Sequence, residues 1–324
     1  MINIAFLSKW HVHSEEYAKQ FQALPYVTIK AVWDEDVTRG KEWANELNCS
    51  FEMDLDKLLS RDDIDAVCVG TPTSMHKEVI CAAAKAKKAI FTEKVLAITT
   101  EDAKEIEKQV KLAEVPFCIA LRRRTEARII LAKKMIADSA IGRVTHIRIR
   151  DAHSGTSDGW LPNTFYNAEQ CGGGAMMDLG AHPMYLSLYF MGEPKSVSSV
   201  FTSSAGKGID DNCVSVLEYA TGAIGISETS FLSKNCPFSL EINGTCGHIY
   251  MSDNIDGIQI SNKDGLRNIF ANDIPANLPM PVELFAHALE NNETVPFTIE
   301  EGVALTKLMD AAYRSYNEKK TVMY

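Results

Sequence analysis

An acid and a base lie four residues apart near the middle of the chain. The segment reads Cys171-Gly-Gly-Gly-Ala-Met-Met-Asp178-Leu-Gly-Ala-His182. On a helix, Asp178 and His182 share one face. A carboxylate beside an imidazole can orient the ring and stabilise its charged form, which suits general acid–base catalysis. Three glycines before them allow close approach of a ligand or of another backbone segment. An isolated Asp and His on a helix are usually structural, but glycines, acid and base in one segment favour a site.

A second reactive position follows the apolar residues 89–92, where the chain continues Glu93-Lys94-Val95. A charged pair directly after a buried strand lies at the edge of a parallel sheet where ligands bind. A partly desolvated lysine there can have a lowered pKa and take part in proton transfer. The alternative is an ion pair at the end of a strand. We predict that Lys94, Asp178 and His182 are catalytic and that Glu93 and Lys94 also contact a cofactor.

The turn after the first strand contains no glycine. In a dinucleotide-binding fold this turn meets the pyrophosphate, because glycines let the backbone approach and a helix N-terminus offers N–H groups. The predicted cofactor contacts in the turn are Leu7, Ser8, Lys9, Trp10 and His11. The alternative is a loop that packs without binding phosphate. His11 forms an H-x-H pair with His13, but neighbouring Cys, Asp or Glu residues do not complete a ligand set, so no metal is expected.

Two other turns are candidates for the same cofactor. Asp34 ends the second predicted strand, where an acid typically accepts hydrogen bonds from the adenosine ribose. A carboxylate there would repel a 2′-phosphate, which favours NAD as the cofactor. The nearby Arg39 leaves NADP as an alternative. Alternatively, Asp34 caps the next helix.

After the third strand, Thr71, Pro72 and His76 are expected to line the ligand crevice, although His76 on a first helical turn is more commonly a satisfied surface histidine.

The elements that must position these residues change character near residue 121. Before it, the patterns predict strands at 2–7, 27–33, 65–70, 89–92 and 115–120 and helices at 14–24, 37–47, 74–87 and 100–113, with Ser74 and Thr100 as N-caps. After it, they predict helices at 125–138, 178–191, 281–292 and 299–317 and strands at 143–152, 195–203, 212–220, 223–230, 237–242 and 247–251. We therefore expect an α/β protein. Residues 1–121 would form a doubly wound parallel sheet, and residues 122–324 an α+β domain on a large, mainly antiparallel open sheet.

The composition limits the classes of partner. The 324 residues carry a formal net charge of −10, and the only short basic run is Arg122-Arg123-Arg124, which argues against nucleic acid. There is no apolar run long enough for a membrane span and no recognisable signal peptide. The eight cysteines include no C-x-x-C pair, so we expect reduced thiols in a cytoplasmic protein.

Taken together, the motifs resemble the glucose–fructose oxidoreductase / inositol dehydrogenase / rhizopine-catabolism (Gfo/Idh/MocA) family. The similar stretches are VGTPTSMH, TEKVLA, GGGAMMDLGAH and SLEINGTCGHIYM, in family order across nearly the whole chain. The resemblance implies a Rossmann domain, NAD or NADP, and hydride transfer at a secondary alcohol or ketone of a sugar, inositol or similar polyol. It also implies that Lys94 touches substrate and nicotinamide, that Asp178 holds a substrate hydroxyl, and that His182 is the general base. Arg124 and Trp160 are further candidates for substrate binding.

The chain departs from the family in the turn LSKWHVHS, in Val95 where the family motif has proline, and in the lack of an acid shortly after His182. Two other functions therefore remain open: a non-catalytic ligand sensor on the same fold, and a reductase of a non-sugar carbonyl. An open sheet of this size is seldom left bare, so a homodimer or homotetramer through that sheet is expected.

Overall fold

A computed structural model describes residues 1–324 and divides them into two compact units. The first unit contains Met1–Leu121 and Pro279–Thr306, and the second contains Arg122–Leu278 and Lys307–Tyr324. The chain therefore passes between the units after Leu121, where the sequence pattern changes, and returns for the segment Pro279–Thr306. The domain expected from sequence at residues 122–324 is continuous and does not include this return to the first unit.

The first unit is built on a six-stranded sheet in which every neighbouring pair is parallel. The strand order is β3-β2-β1-β4-β5-β6, the doubly wound order whose ligand edge lies where β1 and β4 diverge. The strands are β1 (Ile2–Leu7), β2 (Val27–Trp33), β3 (Ser50–Phe51), β4 (Ala66–Val69), β5 (Ala89–Thr92) and β6 (Phe117–Ile119); the helices are α1 (Ser14–Gln22), α2 (Val37–Glu46), α3 (Leu55–Leu59), α4 (His76–Lys85) and α5 (Thr100–Ala113).

Two N-caps differ from the sequence prediction by one position. Thr99, rather than Thr100, caps α5, and its hydroxyl accepts the Asp102 N–H at 3.1 Å. Ser74 lies in a short 3-10 turn that precedes α4, so it is not a cap. The N-cap is the residue immediately before the first helical residue. When two neighbouring residues both carry hydroxyl groups, the sequence does not show which of them occupies that position.

The second unit is built on a nine-stranded sheet, ordered β14-β13-β12-β11-β7-β10-β9-β8-β15. Its pairs are antiparallel except for β7 beside β10, which are parallel. Its elements are α6 (Ala127–Ala137), β7 (Val144–Ala152), α7 (Ala168–Cys171), α8 (Ala175–Asp178), α9 (Ala181–Met191), β8 (Ser196–Thr202), β9 (Asn212–Glu218), β10 (Ile224–Ser230), β11 (Ser239–Gly244), β12 (Gly247–Ser252), β13 (Ile258–Asn262), β14 (Gly265–Ile269) and β15 (Val322–Met323). The helix α10 (Pro281–Asn291) belongs to the first unit, and α11 (Ile299–Glu318) begins in the first unit and continues into the second after Thr306. The predicted fold class is confirmed.

Aromatic side chains form the core between the first sheet and its helices. Phe6 lies edge-on to Phe21 of α1 and to Trp43 of α2, with ring centroids 6.0 and 5.0 Å apart. Phe91 of β5 meets Phe285 of the returning helix α10 at 5.7 Å. The return segment therefore completes the core around α1. No helix has the length and apolar character needed to cross a membrane.

Candidate active site

The turn between β1 and α1 keeps a glycine-type backbone although it contains no glycine. Ser8, the first residue after β1, has a φ of +78°, in the left-handed region that favours glycine. Its N–H donates to the Trp33 carbonyl at 2.7 Å, and its hydroxyl accepts the Trp10 N–H at 3.0 Å. These two bonds offset part of the cost of the conformation.

The close approach that this turn requires is provided by a glycine on the neighbouring strand. A Cβ on Gly70, which follows β4, would lie 2.4 Å from the Ser14 hydroxyl and 2.8 Å from the Ser8 carbonyl. The His11 N–H also donates to the Gly70 carbonyl at 3.0 Å. The turn is therefore packed directly on the end of β4.

Asp34 is buried after β2 and forms a dense ionic cluster. Its carboxylate accepts the Lys9 and Asp36 N–H groups, each at 2.8 Å, and pairs with Arg39 at 2.5 and 3.0 Å. Arg39 also reaches Glu35 at 2.6 Å. The helix α2 is capped by Asp36, whose side chain accepts from two N–H groups of the first turn, so the idea that Asp34 is the cap is wrong. Asp34 instead links the β1–α1 turn to Arg39.

His76 is buried, so the expectation of a surface histidine is wrong. One ring nitrogen, Nδ1, lies 3.1 and 3.2 Å from the carbonyls of Val95 and Leu96, and Nε2 lies 3.2 Å from the Thr71 carbonyl. Burial lowers the pKa of His76 despite these acceptors. The imidazole thus ties the Thr71–Pro72 turn to the segment that follows Lys94.

Glu93 is the centre of a buried polar cluster. Its Oε1 accepts from Nδ1 of His13 at 2.7 Å and from the Tyr17 hydroxyl, and Nδ1 of His11 lies 3.7 Å away. Its Oε2 accepts the Lys94 N–H at 2.9 Å. Burial acts to raise the pKa of Glu93, but the charges of His11 and His13 outweigh it and hold that pKa well below its usual range. Lys94 is itself buried, and its peptide bond to Val95 is cis.

The three glycines before Asp178 serve protein packing. Gly172 has a φ of +83°, and a Cβ on Gly173 would lie 1.9 Å from the Tyr313 hydroxyl oxygen. A Cβ on Gly174 would lie 2.1 Å from the Asp210 carbonyl oxygen. Of the two roles that the sequence allowed, close approach of other protein groups accounts for these glycines.

Asp210 anchors the glycine segment. Its carboxylate accepts the N–H groups of Gly174 and Met176 and the Tyr313 hydroxyl, each at 2.8 Å. Burial and this negative charge raise the pKa of Tyr313 well above its usual value. The start of α8, and with it the course towards Asp178, is therefore fixed by a carboxylate that sequence reasoning did not single out.

Asp178 and His182 belong to two short helices rather than one. Asp178 ends α8 and Ala181 begins α9, but the linking residues Leu179 and Gly180 keep right-handed helical angles. The chain therefore follows a nearly continuous helical course through the four-residue spacing. His182 is buried, and its Nδ1 lies 2.9 Å from the Tyr185 hydroxyl, whose oxygen accepts the Arg123 N–H at 3.1 Å.

Asp151, which the sequence did not single out, pairs with Arg123 of the basic run at 2.8 Å. Burial raises the pKa of Asp151 against the effect of Arg123, and the charges of Asp253 and then Asp178 add to that rise. The inward register of β7, in which Ile147, Ile149 and Asp151 are buried, is the only sequence signal for this acid.

The substrate-binding candidates Arg124 and Trp160 both lie beside aromatic rings. The guanidinium of Arg124 stands 3.8 Å from the centroid of the Tyr189 ring. Trp160 is 56% exposed, with its ring 4.6 Å from that of His153, which stacks on Phe231. An exposed indole supported in this way offers an apolar face of the kind that binds sugar rings.

Comparison with known proteins assigns the chain to a family. Residues 8–120 match the model described as oxidoreductase family, NAD-binding Rossmann fold, and residues 129–250 match the Gfo/Idh/MocA C-terminal domain. The chain belongs to the Gfo/Idh/MocA oxidoreductase family. It is an oxidoreductase whose first unit has the NAD-binding Rossmann fold, which confirms the resemblance and the cofactor inferred from sequence.

Similar proteins cover almost the whole chain. Inositol 2-dehydrogenase of Rhizobium meliloti is 27% identical over 94% of this chain and 94% of its own length. Myo-inositol 2-dehydrogenase of Thermotoga maritima is 26% identical over 94% of each chain. Levoglucosan dehydrogenase, solved in complex with NADH and levoglucosan, shares the fold with a TM-score of 0.87 at 22% identity, covering 99% of both chains.

The edge of the first sheet fits a dinucleotide. Ser8 supplies the left-handed backbone conformation, and Gly70 permits close packing behind the turn. Asp34 supplies a buried carboxylate at the end of β2. Side chains of the turn replace the bare backbone that glycines would present.

Proposed function

We propose that the protein transfers hydride between NAD and a secondary alcohol or ketone of a sugar, inositol or similar polyol. The observation that carries this proposal is the setting of His182. The buried imidazole has Nδ1 at hydrogen-bond distance from Tyr185, and Asp178 precedes it by one helical turn. When Nδ1 donates to Tyr185, Nε2 is the basic nitrogen, and it takes the proton of the substrate hydroxyl.

The first unit provides the cofactor contacts in this proposal. Pyrophosphate binds at the β1–α1 turn, the ribose hydroxyls bind near Asp34, and the nicotinamide half binds near Glu93 and Lys94; the proposed contacts are Leu7, Ser8, Lys9, Trp10, His11, Asp34, Thr71, Pro72, His76, Glu93 and Lys94. Bound NAD supplies the hydride acceptor or donor. Glu93 fixes the backbone of Lys94 through the bond to its N–H, and we assign the Lys94 ammonium to the substrate oxygen.

The second unit provides the substrate contacts. Asp178 accepts a hydroxyl of the substrate, Trp160 packs against its ring, and Arg124 donates to a further oxygen. Relatives named inositol 2-dehydrogenase, levoglucosan dehydrogenase and 1,5-anhydro-D-fructose reductase support a cyclic polyol. Asp34 favours NAD over NADP, because a carboxylate repels a 2′-phosphate, while Arg39, which is paired with that carboxylate, leaves NADP as the alternative.

The experiment is a titration with NADH and NADPH followed by fluorescence, then a screen of inositols, sugars and anhydrosugars by reduced-nicotinamide absorbance. Lys94→Ala and His182→Ala should each lower kcat by ~100-fold or more while NADH still binds, since positioned proton transfer contributes about that much. His287→Ala, at an exposed histidine, is the control. Absence of NADH binding at millimolar concentration, or turnover that survives both substitutions, would refute the proposal.

We also propose that two copies of the chain associate through the outer face of the nine-stranded sheet. Val200, Val214, Val216 and Ile224 are exposed on that face, and Arg148 pairs with Glu228 beside them. Apolar residues with both signs of charge suit a self-complementary two-fold contact. Light scattering should find a dimer or tetramer that Val216→Lys dissociates and that Leu112→Lys, at an exposed leucine of α5, leaves intact. A monomeric parent protein would contradict this.

A cytoplasmic location is the final part of the proposal. No disulfide joins the eight cysteines, which suits a reducing compartment. Alkylation of acid-quenched source cells should find these thiols reduced. Oxidised pairs would place the protein elsewhere.

A further inference from the structure

Three potential metal ligands meet at the edge of the six-stranded sheet. One ligand atom from each of His11, His13 and Glu93 lies within 4.8 Å of the other two. Around a metal with bonds of ~2.0–2.2 Å, tetrahedral ligand atoms stand roughly 3.4 Å apart. Nδ1 of His13 and Nδ1 of His11 lie 2.7 and 3.7 Å from the same Glu93 oxygen. Shifts of a few tenths of an ångström to about 0.7 Å would bring both distances to that spacing.

The fold holds these ligands through residues that are not ligands. The His11 N–H is bound to the Gly70 carbonyl, at the end of a strand that lies between β1 and β5. Tyr17, one turn into α1, hydrogen-bonds to Glu93 Oε1, and the Lys94 N–H fixes Oε2 at 2.9 Å. Outer partners of this kind orient metal ligands and are a regular part of metal sites.

Burial makes an ion favourable at this place. The Glu93 side chain is 2% exposed, and a carboxylate taken out of water requires compensating positive charge. The side chain of His13 is 27% exposed, so the cluster is accessible from its His13 side. A cation can therefore reach a carboxylate that is otherwise enclosed.

We propose that His11, His13 and Glu93 bind one divalent transition-metal ion of the zinc class, with water or another oxygen ligand in the fourth position. Two imidazoles and one carboxylate are a ligand set that zinc accepts when it keeps an open position, and cobalt(II) and nickel(II) bind the same donors. His11 and Glu93 are also among the proposed cofactor contacts, so the metal site is tested by metal binding in the absence of NAD and substrate.

The first test measures metal binding without NAD or substrate. Protein stripped with a chelator is dialysed against zinc or cobalt(II), and bound metal is counted by mass spectrometry. We expect one equivalent per chain. The cobalt form should show visible bands of a tetrahedral or five-coordinate site without an intense sulfur-to-metal charge-transfer band. Such a band would assign the metal to cysteine thiolates and overturn the proposal, as would a protein that binds less than half an equivalent at micromolar free metal.

Substitutions identify the ligands. His13→Asn should weaken zinc binding by at least ~100-fold, because loss of outer partners alone typically costs ~10–100-fold. Glu93→Gln should do the same, while His287→Ala should bind as the parent does. Zinc should also raise the melting temperature of the parent and of His287→Ala but not of His13→Asn. If Glu93→Gln does not fold, the variant at the partly exposed His13 decides the question. Equal affinity in His13→Asn and the parent would overturn the site.

Discussion

The β1–α1 turn and the segment before Asp178 use glycine in opposite ways. The turn that faces the expected pyrophosphate has none, yet Ser8 adopts a φ of +78°. The segment Gly172–Gly174 has three, and two of them lie against Asp210 and Tyr313 of the same unit. Glycine in this chain is therefore required where protein packs against protein, while side chains surround the place where a ligand is expected. A glycine pattern alone reports close backbone approach and does not identify what approaches.

The largest expected effect is at Gly174. Gly174→Ala would place a Cβ 2.1 Å from the Asp210 carbonyl oxygen, so the backbone must move and the bonds to the Asp210 carboxylate are disturbed. We expect a loss of about 3 kcal/mol in the free energy of unfolding. Denaturant unfolding measures it. Gly208→Ala is the control, because Gly208 has a φ of +78° and open space around it, and should cost only about 1 kcal/mol. Equal losses in both variants would show that the backbone angles of Gly174, rather than the close approach of Asp210, require a glycine at this position.

The next effect is at the carboxylate that holds the glycines. Asp210→Ala leaves two backbone N–H groups and the Tyr313 hydroxyl without their acceptor. We expect a loss of about 2 kcal/mol in the free energy of unfolding. Tyr313→Phe removes the bond to Asp210 and the two 3.2 Å bonds that its hydroxyl accepts from the Gly174 and Met177 N–H groups. It leaves both 2.8 Å backbone bonds to the Asp210 carboxylate in place and should therefore lose less. If Tyr313→Phe is as damaging as Asp210→Ala, the ring of Tyr313 rather than the carboxylate holds the segment.

Ser8 tests the other side of the comparison. Ser8→Ala keeps the left-handed conformation but loses the bond to the Trp10 N–H, and should cost about 1 kcal/mol. Ser8→Gly loses the same bond but relieves the backbone, so its stability should lie within about 0.5 kcal/mol of the parent. Thermal unfolding compares the two variants. If Ser8→Gly is the less stable of the pair, the turn does not have glycine-type geometry in solution.

The smallest effect concerns a histidine of the second unit. His153 stacks on Phe231, and burial lowers its pKa although Asp178 acts in the other direction. The unfolded chain then binds a proton more readily than the folded one. The associated stability is present above the usual histidine pKa of about 6.5 and is lost as the pH falls through the lower folded value. His153→Gln should flatten this part of the pH–stability profile. An unchanged slope between pH 7 and 5 would contradict it.

Most of the fold was accessible from sequence because strand and helix periodicities are local. The five strands and four helices expected before residue 121 are present. Among the missed elements, β3 has two residues, and four of the five residues of β14 are exposed, so neither carries a strong apolar alternation. The missed strand β13 does alternate, with Ile258 and Ile260 buried, but over only five residues.

The site was less accessible because its contacts are remote in sequence. His11 and His13 seemed to lack an acid, and Glu93 supplies it from 80 residues beyond His13. Tyr313 lies 103 residues from Asp210, the acid that it helps to hold against the glycines. Such pairings follow from how strands and helices that are distant in sequence pack together, and a local sequence motif does not contain that information. The roles of Lys94, Asp178 and His182 stay predictions.

The return of Pro279–Thr306 to the first unit has a consequence for synthesis on the ribosome. All six strands of the parallel sheet are translated by residue 119, but Phe285, which packs on Phe91, and the Phe297 carbonyl, which accepts the Ile119 N–H at 2.9 Å, follow more than 150 residues later. The apolar surface beside α1 is therefore not covered until nearly the whole chain has been synthesised. A fragment that stops at Leu121 would keep that surface uncovered.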